Sequence, residues 1–249
     1  MRHAHRLLGL GVFTLILLFV IAPPIVQPQD YHAFAGPRMP NVVSNAAFAI
    51  VGVAGLLLMR GARFVNRQER WDAVVFFVGT VLISIGSTIY HLHPNDETLV
   101  WDRAGIVVAF MSFLAMILHE RHDGAPWLLV ALIALGVFSV YWWRVSGDLR
   151  LYGWVQFFPM LAGVVIVLLD EPRHSGEITA LSIVLVVYVL AKIFELLDRS
   201  TYDLTGGLVS GHTLKHYLAA IGPLTVGVWC RLRGPLRAAQ DPCELRYSR

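Results

Sequence analysis

The sequence predicts an all-α membrane protein: a seven-transmembrane-helix core preceded by one additional N-terminal transmembrane helix. Two observations lead to this prediction. The chain is 56% hydrophobic and only 15% charged over 249 residues, with a mean hydropathy of +0.62. A soluble domain cannot bury that much apolar side chain. In addition, the apolar residues fall into long runs, each of about 18 residues or more, which is the length that a helix needs to cross a bilayer.

Eight such runs, separated by short polar loops, account for most of the chain. They lie at about 7–26, 41–59, 72–91, 99–118, 126–143, 153–169, 178–197 and 209–230. No segment remains that is long enough to form a soluble domain. We therefore divide the chain into an N-terminal anchor helix (1–29), a seven-helix membrane domain (30–230) and a polar tail (231–249), which we expect to be disordered.

The first apolar run could be a secretory signal, because it follows the basic start MRHAHR. However, the run is long, and Val20-Ile21-Ala22 is followed by Pro23-Pro24, which is a poor context for cleavage. The sequence therefore favours an uncleaved membrane anchor.

The arginine distribution predicts the orientation in the membrane. If the N-terminus is inside, the outer loops hold only Arg38, Arg144, Arg150 and Arg199, and most other arginines lie in inner loops and at the termini. Both termini should therefore be cytoplasmic. Basic residues confined to loops and termini do not indicate nucleic-acid binding. Arginine outnumbers lysine 18 to 2, which favours a bacterial protein and hence the inner membrane.

Ionisable residues collect where the third and fourth apolar runs meet, in the stretch STIYHLHPNDETLVWDR from Ser87 to Arg103. The third helix runs outward and ends near His91, and the fourth begins near Leu99, so Ser87 and Asp102 should lie near the outer membrane face. Such residues are costly inside a membrane protein and suggest a functional site. Alternatively, Ser87 could bond to a carbonyl of its own helix, and Asp102 could simply favour a helix start.

The eighth helix begins at the same level and carries His212 and His216, whose i, i+4 spacing puts both on one helix face. This spacing suits two ligands of one zinc ion, although two helix-end histidines near lipid headgroups are the more common case. A catalytic zinc needs three protein ligands and an open position. His91 can be the third. His93 competes for this role, but Pro94 follows it and puts it outside the helix, so we prefer His91.

Two further polar groups lie at the same outer level. Asn41, Ser44 and Asn45 begin the second helix, either as helix cap and interhelical hydrogen-bond partners or as supports of the site. Glu195 and Asp198 end the seventh helix, either as solvated charges or as groups that orient a histidine from a second layer.

Together these motifs resemble the alkaline ceramidases, which belong to the CREST superfamily of membrane hydrolases. The matching motifs are N-x-x-S-N (Asn41–Asn45), G-S-x-x-x-H (Gly86–His91), W-D (Trp101-Asp102) and H-x-x-x-H (His212–His216). They occur in the family's order over about residues 30–230. The resemblance implies a seven-helix zinc hydrolase that cleaves the amide of ceramide-like N-acyl lipids to a free fatty acid and a sphingoid amine. It implies that His91, His212 and His216 hold zinc and that Ser87 and Asp102 are catalytic.

One departure from the family concerns calcium. The animal ceramidases carry several acidic residues before N-x-x-S-N, which form a calcium site. Here the corresponding segment, QPQDYHAFAGPRMPN, offers Asp30 but no cluster of carboxylates. Calcium takes six to eight oxygen ligands, so we do not expect that site in this chain.

The same residues suggest a mechanism by their chemistry. A zinc ion held by three histidines makes hydroxide available near neutral pH, Asp102 can transfer protons, and Ser87 can hydrogen-bond the developing oxyanion. Apolar helices around the site predict a lipid substrate that enters from the bilayer. Two alternatives remain: a non-enzymatic lipid-binding or receptor-like protein, as in the receptor branch of this superfamily, and a haem-binding membrane protein with histidine ligands.

Overall fold

The computed structural model describes residues 2–34, 39–121, 125–169 and 171–234. These residues form eleven helices and one short 3-10 turn (Met59–Gly61), and no strand occurs among them. The helices are α1 (Arg2–Ile21), α2 (Asp30–Phe34), α3 (Met39–Ser44), α4 (Ala46–Leu58), α5 (Arg67–Leu92), α6 (Asp96–Arg121), α7 (Leu128–Ser146), α8 (Arg150–Leu169), α9 (Glu177–Leu196), α10 (Asp198–Leu204) and α11 (Gly211–Leu232).

The predicted all-α membrane fold is confirmed. Six segments of the described chain are long and apolar enough to cross a bilayer: Met39–Gly61, which joins α3 and α4, and then α5, α6, α7, α8 and α9. The apolar part of α1 is shorter, at Arg6–Ile21. The last helix, α11, has 22 residues but is not among the six. Its first half carries His212, Lys215 and His216, which lower its mean apolarity.

The surface of the helix bundle is rich in large apolar side chains. Val12, Ile50, Val137, Leu168 and Val186 are all more than half exposed. In water this would be an unstable surface, whereas in a bilayer such side chains face lipid. The buried charged pairs and the histidine cluster lie instead at the two ends of the bundle.

Helix α6 lies at the centre of the bundle and packs against α5, α7 and α8. The backbones of α6 and α5 approach each other closely at two glycines. A Cβ atom at Gly86 would lie 2.1 Å from the carbonyl oxygen of Trp101, and one at Gly105 would lie 2.5 Å from the backbone nitrogen of Ile83. Only glycine permits this approach, which brings the segment containing Ser87 against the start of α6.

The end of the bundle opposite His91 is closed by buried ion pairs. Arg233 Nη2 donates to Glu69 Oε1 at 2.6 Å, His119 Nδ1 lies 2.6 Å from Asp72 Oδ2, and Arg121 binds Glu177. Because each of these side chains has a partner of opposite charge or a hydrogen-bond partner, the free-energy cost of burying it is reduced.

The predicted tail boundary at residue 231 is wrong for its first residues. Helix α11 continues to Leu232, and Arg233 is buried, because it pairs with Glu69 and also donates to the carbonyl oxygen of Arg63 at 2.8 Å. The rest of the predicted tail, residues 235–249, lies outside the described residues.

The N-terminal helix α1 packs on α8 and touches α6. Its connection to the core is held by the turn before α8. Arg150 Nη1 donates to the carbonyl oxygen of Ala22 at 2.8 Å, and the Ile25 amide donates to Asp148 at 3.3 Å. Helix α1 therefore lies at the periphery of the bundle.

The membrane orientation is a testable prediction from the arginine distribution. Reporter fusions at Asn95, in the turn between α5 and α6, and at Gly206, between α10 and α11, should report the outer side. A fusion after Arg233 should report the cytoplasm. A cytoplasmic signal at Asn95 would invert the orientation and put the histidine end of the bundle inside the cell.

Candidate metal centre

Three histidines from two distant parts of the chain meet at one end of the bundle. His91, His212 and His216 are at most 3% exposed, and one possible ligand atom from each lies within 4.8 Å of the others. The ring centroids are 4.7 Å apart for His91 and His212, 5.2 Å for His91 and His216, and 4.8 Å for His212 and His216. Among the described residues this is the one cluster that could hold a metal ion.

Helix ends position the three rings. His91 lies one residue before the end of α5, whereas His212 and His216 occupy the first turns of α11. The start of α11 is fixed by its cap, Ser210, whose hydroxyl accepts from the Thr213 amide at 3.1 Å. Gly211 permits this start to lie close to the end of α9, since a Cβ atom there would be 2.1 Å from the Phe194 carbonyl oxygen.

Ser44 orients one of the three rings. Its Oγ donates to the Asn41 carbonyl oxygen at 3.0 Å and lies 2.8 Å from His216 Nδ1. The tautomer of His216 that carries its proton on Nδ1 satisfies both contacts, with Ser44 donating to Asn41 and accepting from His216. His216 then keeps its Nε2 lone pair for a metal. Outer partners that fix the tautomer in this way are typical of metal-ligating histidines.

The backbone of Asn41 interacts with the His216 ring, and the side chains of Asn41 and Asn45 link the helices around the site. Asn41 Oδ1 accepts from Ser210 at 3.0 Å and from Thr213 at 2.6 Å, which ties α3 to the first turn of α11. Asn45 donates to the Asn41 carbonyl oxygen at 3.1 Å and accepts, through its own carbonyl, from Ser84 of α5 at 2.8 Å.

The two acids at the end of α9 have different roles. Asp198 accepts the backbone N–H of His212 at 2.7 Å, so it holds the start of α11. Glu195 binds two ammonium groups, Lys192 at 2.7 Å and Lys215 at 2.5 Å. Neither lysine was singled out from the sequence.

Ser87 and Asp102 line one cavity together with His216. The cavity measures about 130 Å³, whereas a single water needs about 10–15 Å³, so there is room for part of a chain-like molecule. Most of its wall is apolar and includes Phe76, Phe113 and Val226. Ser87 is buried and Asp102 is partly exposed.

His93, the competing third ligand, lies outside the cluster. It follows the last residue of α5 as the C-terminal cap and is exposed. Its backbone is no longer helical, with φ −141° and ψ 71°, as expected for a residue that precedes proline.

The short helix α2 covers the site, which the sequence did not predict. The Tyr31 ring stacks on Tyr90 with centroids 6.1 Å apart and meets the His212 ring edge at 6.3 Å. His32 bridges Tyr90, at 3.1 Å, and Asp96, at 3.0 Å. Burial, with the carboxylates of Glu195 and Asp102, raises the pKa of the Tyr31 phenol well above its usual range. The phenol therefore stays protonated.

This region also bears on the calcium expectation. Residues 35–38 of the segment before Asn41 lie outside the described residues. The expected lack of a calcium site therefore stays a prediction.

Ser44→Ala should weaken zinc binding by about 10–100-fold, because the His216 ring loses the partner that fixes its tautomer. The measurement is a zinc competition titration with a chromophoric chelator. Ser139→Ala is the matched control, since Ser139 is also buried but donates to Gly136 within α7. Equal zinc affinity in the two variants would contradict a role for Ser44 in orienting His216.

Comparison with known protein families finds no match to this chain, and no curated protein matches it either.

Proposed function

We propose that this protein is a zinc-dependent intramembrane hydrolase that cleaves the amide bond of ceramide-like N-acyl lipids. The observation that carries the proposal is the convergence of three buried histidines at ligand distance. A serine and an aspartate line an apolar cavity that one of these histidines, His216, also lines. The sequence resemblance to the alkaline ceramidases names the same five residues.

The donor set fits zinc. Three neutral imidazoles are a common catalytic zinc set, which leaves a fourth position for water or substrate. When bound, zinc supplies Lewis acidity and lowers the pKa of a water molecule in the site. His91, His212 and His216 would hold the ion, and Ser44 would keep His216 in the ligating tautomer.

The remaining residues act on protons and on the substrate carbonyl. The Asp102 carboxylate can accept the proton of the attacking water and later deliver it to the leaving amine nitrogen. The Ser87 hydroxyl can donate to the carbonyl oxygen as charge develops on it. The apolar wall, including Phe76 and Phe113, excludes water and can hold the acyl chain.

The geometry favours this function over haem binding. A haem with two histidine ligands holds the rings on opposite sides of a flat macrocycle, so the two must be separated by its plane. Here the three rings meet edge to face, with centroids 4.7–5.2 Å apart. Ser87 and Asp102, which line the same cavity as His216, favour hydrolysis over a receptor-like function, since lipid binding alone needs neither group.

The test is a screen of purified, zinc-loaded protein against N-acyl lipids, with released fatty acid measured by mass spectrometry. We expect hydrolysis of at least one lipid amide, with zinc and activity lost together on chelation and restored by zinc. Activity should survive a calcium-selective chelator. Full zinc loading without turnover of any N-acyl lipid would favour the receptor-like alternative, and a Soret band in the absorbance spectrum would favour haem.

A further inference from the structure

The only two lysines of the chain meet at one carboxylate. Lys192 of α9 and Lys215 of α11 are far apart in sequence, but each donates to Glu195, one to each oxygen. Their side chains are 27% and 18% exposed, and that of Glu195 is 19% exposed. The other 18 of the 20 lysine and arginine residues in the sequence are arginines.

This lysine cluster, Lys192, Glu195 and Lys215, belongs to the cavity of the metal centre. Both lysines line the cavity that Ser87, Asp102 and His216 also line. Lys215 directly precedes His216 in α11. The cluster therefore lies at the histidine end of the bundle, where a lipid headgroup would be close to the membrane boundary.

A tyrosine on α9, Tyr188, adds a third polar side chain to the part of the cavity that the lysines line. Tyr188, Lys192 and Glu195 are spaced i, i+4, i+7 and so share one face of the helix. Tyr188 also lines the cavity, and its hydroxyl is buried without a hydrogen-bond partner among the described residues. A buried hydroxyl without a partner costs free energy unless a ligand or a water satisfies it.

The cluster has more donors than acceptors. Each ammonium carries three N–H donors, and within the described chain each makes one hydrogen bond, to Glu195. Both Glu195 oxygens are already used. The Lys192 ammonium also lies 5.5 Å from the centre of the Phe157 ring. The four N–H groups not bonded to Glu195 and the Tyr188 hydroxyl can bind solvent or a ligand that brings several oxygen acceptors.

The charge of the cavity also favours a ligand with several oxygen acceptors, because it favours an anion. The two lysines balance Glu195 and Asp102, so a divalent ion on three neutral histidines would leave the cavity positive. In an apolar site such an excess favours an anionic ligand. Ammonium groups bind carboxylate and phosphate oxygens through charge-assisted hydrogen bonds.

We propose that the amine portion of the natural lipid substrate carries an anionic group, a carboxylate or a phosphate, which binds between Lys192 and Lys215. This inference rests on the proposed amide hydrolysis and names its substrate class. The acyl chain would occupy the apolar part of the cavity. Phe76 precedes Ser87 by eleven residues on α5, a distance of roughly 16 Å along the helix. Hydrolysis would then release a fatty acid and an acidic amine.

The test compares lipids that share an acyl chain and differ in the anionic group. The carboxylate arm uses N-oleoylglycine against N-oleoylethanolamine, and the phosphate arm uses ceramide 1-phosphate against ceramide. Binding is measured on zinc-loaded, full-length protein by displacement of a fluorescent fatty acid, in the first seconds after mixing so that turnover does not interfere. We expect the acidic member of at least one pair to bind about tenfold more tightly or better, the scale of a hydrogen bond to a charged group.

Variants of the protein distinguish binding of the acidic lipid at a specific subsite from general electrostatic attraction to the protein. Lys192→Met should remove most of the preference for the acidic lipid, and Lys192→Arg should retain it, which also excludes misfolding as the cause. Arg199→Met is the matched control, because Arg199 is exposed on α10 and does not line the cavity; this variant should keep the preference. Equal binding of both members of both pairs, or an unchanged preference in Lys192→Met, would overturn the proposal.

Turnover of the same lipid pairs by zinc-loaded protein distinguishes this inference from the proposed function. Hydrolysis of acidic and neutral lipids at equal rates, without a binding preference, would reject the anionic subsite and leave the hydrolase proposal standing. A binding preference that depends on Lys192, without hydrolysis of any lipid, would support the subsite and reject the hydrolase.

Discussion

Replacing His91, His212 or His216 with alanine should reduce the bound zinc from about one ion per chain to nearly none and should abolish lipid hydrolysis. Two remaining imidazoles cannot complete the three-ligand set that a catalytic zinc requires. The loss should be similar for each of the three, because their rings are equally buried and lie at similar distances from one another. Zinc content by elemental analysis and hydrolysis of an N-acyl lipid, measured on the same samples, check this prediction.

His93→Ala is the control for these variants. His93 is two residues from His91, but it caps α5 from outside and is exposed, so its loss should leave zinc and activity unchanged. A thermal unfolding measurement on each variant separates loss of metal from loss of fold. If His93→Ala empties the site while His91→Ala leaves it filled, the third ligand has been assigned to the wrong residue.

Asp102→Asn should lower turnover of an N-acyl lipid by about 10²-fold or more while zinc stays bound and the protein stays folded. Asparagine keeps the size of the side chain and an oxygen acceptor but cannot take up a proton. The expected loss is the usual scale for removing general acid–base catalysis. Asp102 sits at the cavity wall and is not among the residues of the histidine cluster, so zinc affinity should not depend on it directly.

Zinc content and single-turnover rate in the same Asp102→Asn sample decide the assignment. Full zinc with an unchanged rate would remove Asp102 from the mechanism. Zinc loss would instead make Asp102 a ligand, or a group that orients one.

Ser87→Ala tests the proposed oxyanion donor. This variant should keep zinc and lose roughly 2.7–4 kcal/mol of transition-state stabilisation if Ser87 donates to the oxyanion. The rate should be nearly unchanged if the Ser87 hydroxyl only bonds its own helix.

The sequence by itself determined the fold class, because bilayer-spanning helices need long apolar runs that are visible in any single chain. It also predicted that His91 and the pair His212 and His216 lie at the same end of the helix bundle. The pair follows from local helix periodicity, and the shared level follows from alternating the direction of successive spans. Both arguments use only local geometry and chain order, and the structure agrees with them.

The contacts between polar side chains of different helices could not be predicted from the sequence. The two acids at the end of α9 looked alike in the sequence, yet Asp198 binds the backbone of α11 and Glu195 binds two lysines. Lys192 and Lys215 gave no signal, since a lone lysine in an apolar run indicates neither its partner nor the cavity that it faces. Arg233 was assigned to a disordered tail because its partners, Glu69 and the carbonyl oxygen of Arg63, are 164 and 170 positions away in the sequence.

Apolar pattern and helical period therefore predicted the all-α membrane fold and the meeting of the three histidines at one end of the bundle, whereas the described part of the chain has six segments long and apolar enough to span a bilayer where the sequence predicted eight. Only the tertiary structure decided which polar groups meet across helices: Ser44 with His216, Asp198 with the start of α11, and the two lysines with Glu195. The physical reason is that a membrane helix is placed by its average apolarity, which a few polar residues barely change. The hydrogen bonds between those residues depend instead on helix rotation and close approach, as at Gly86 and Gly211, which are set by packing against other parts of the chain.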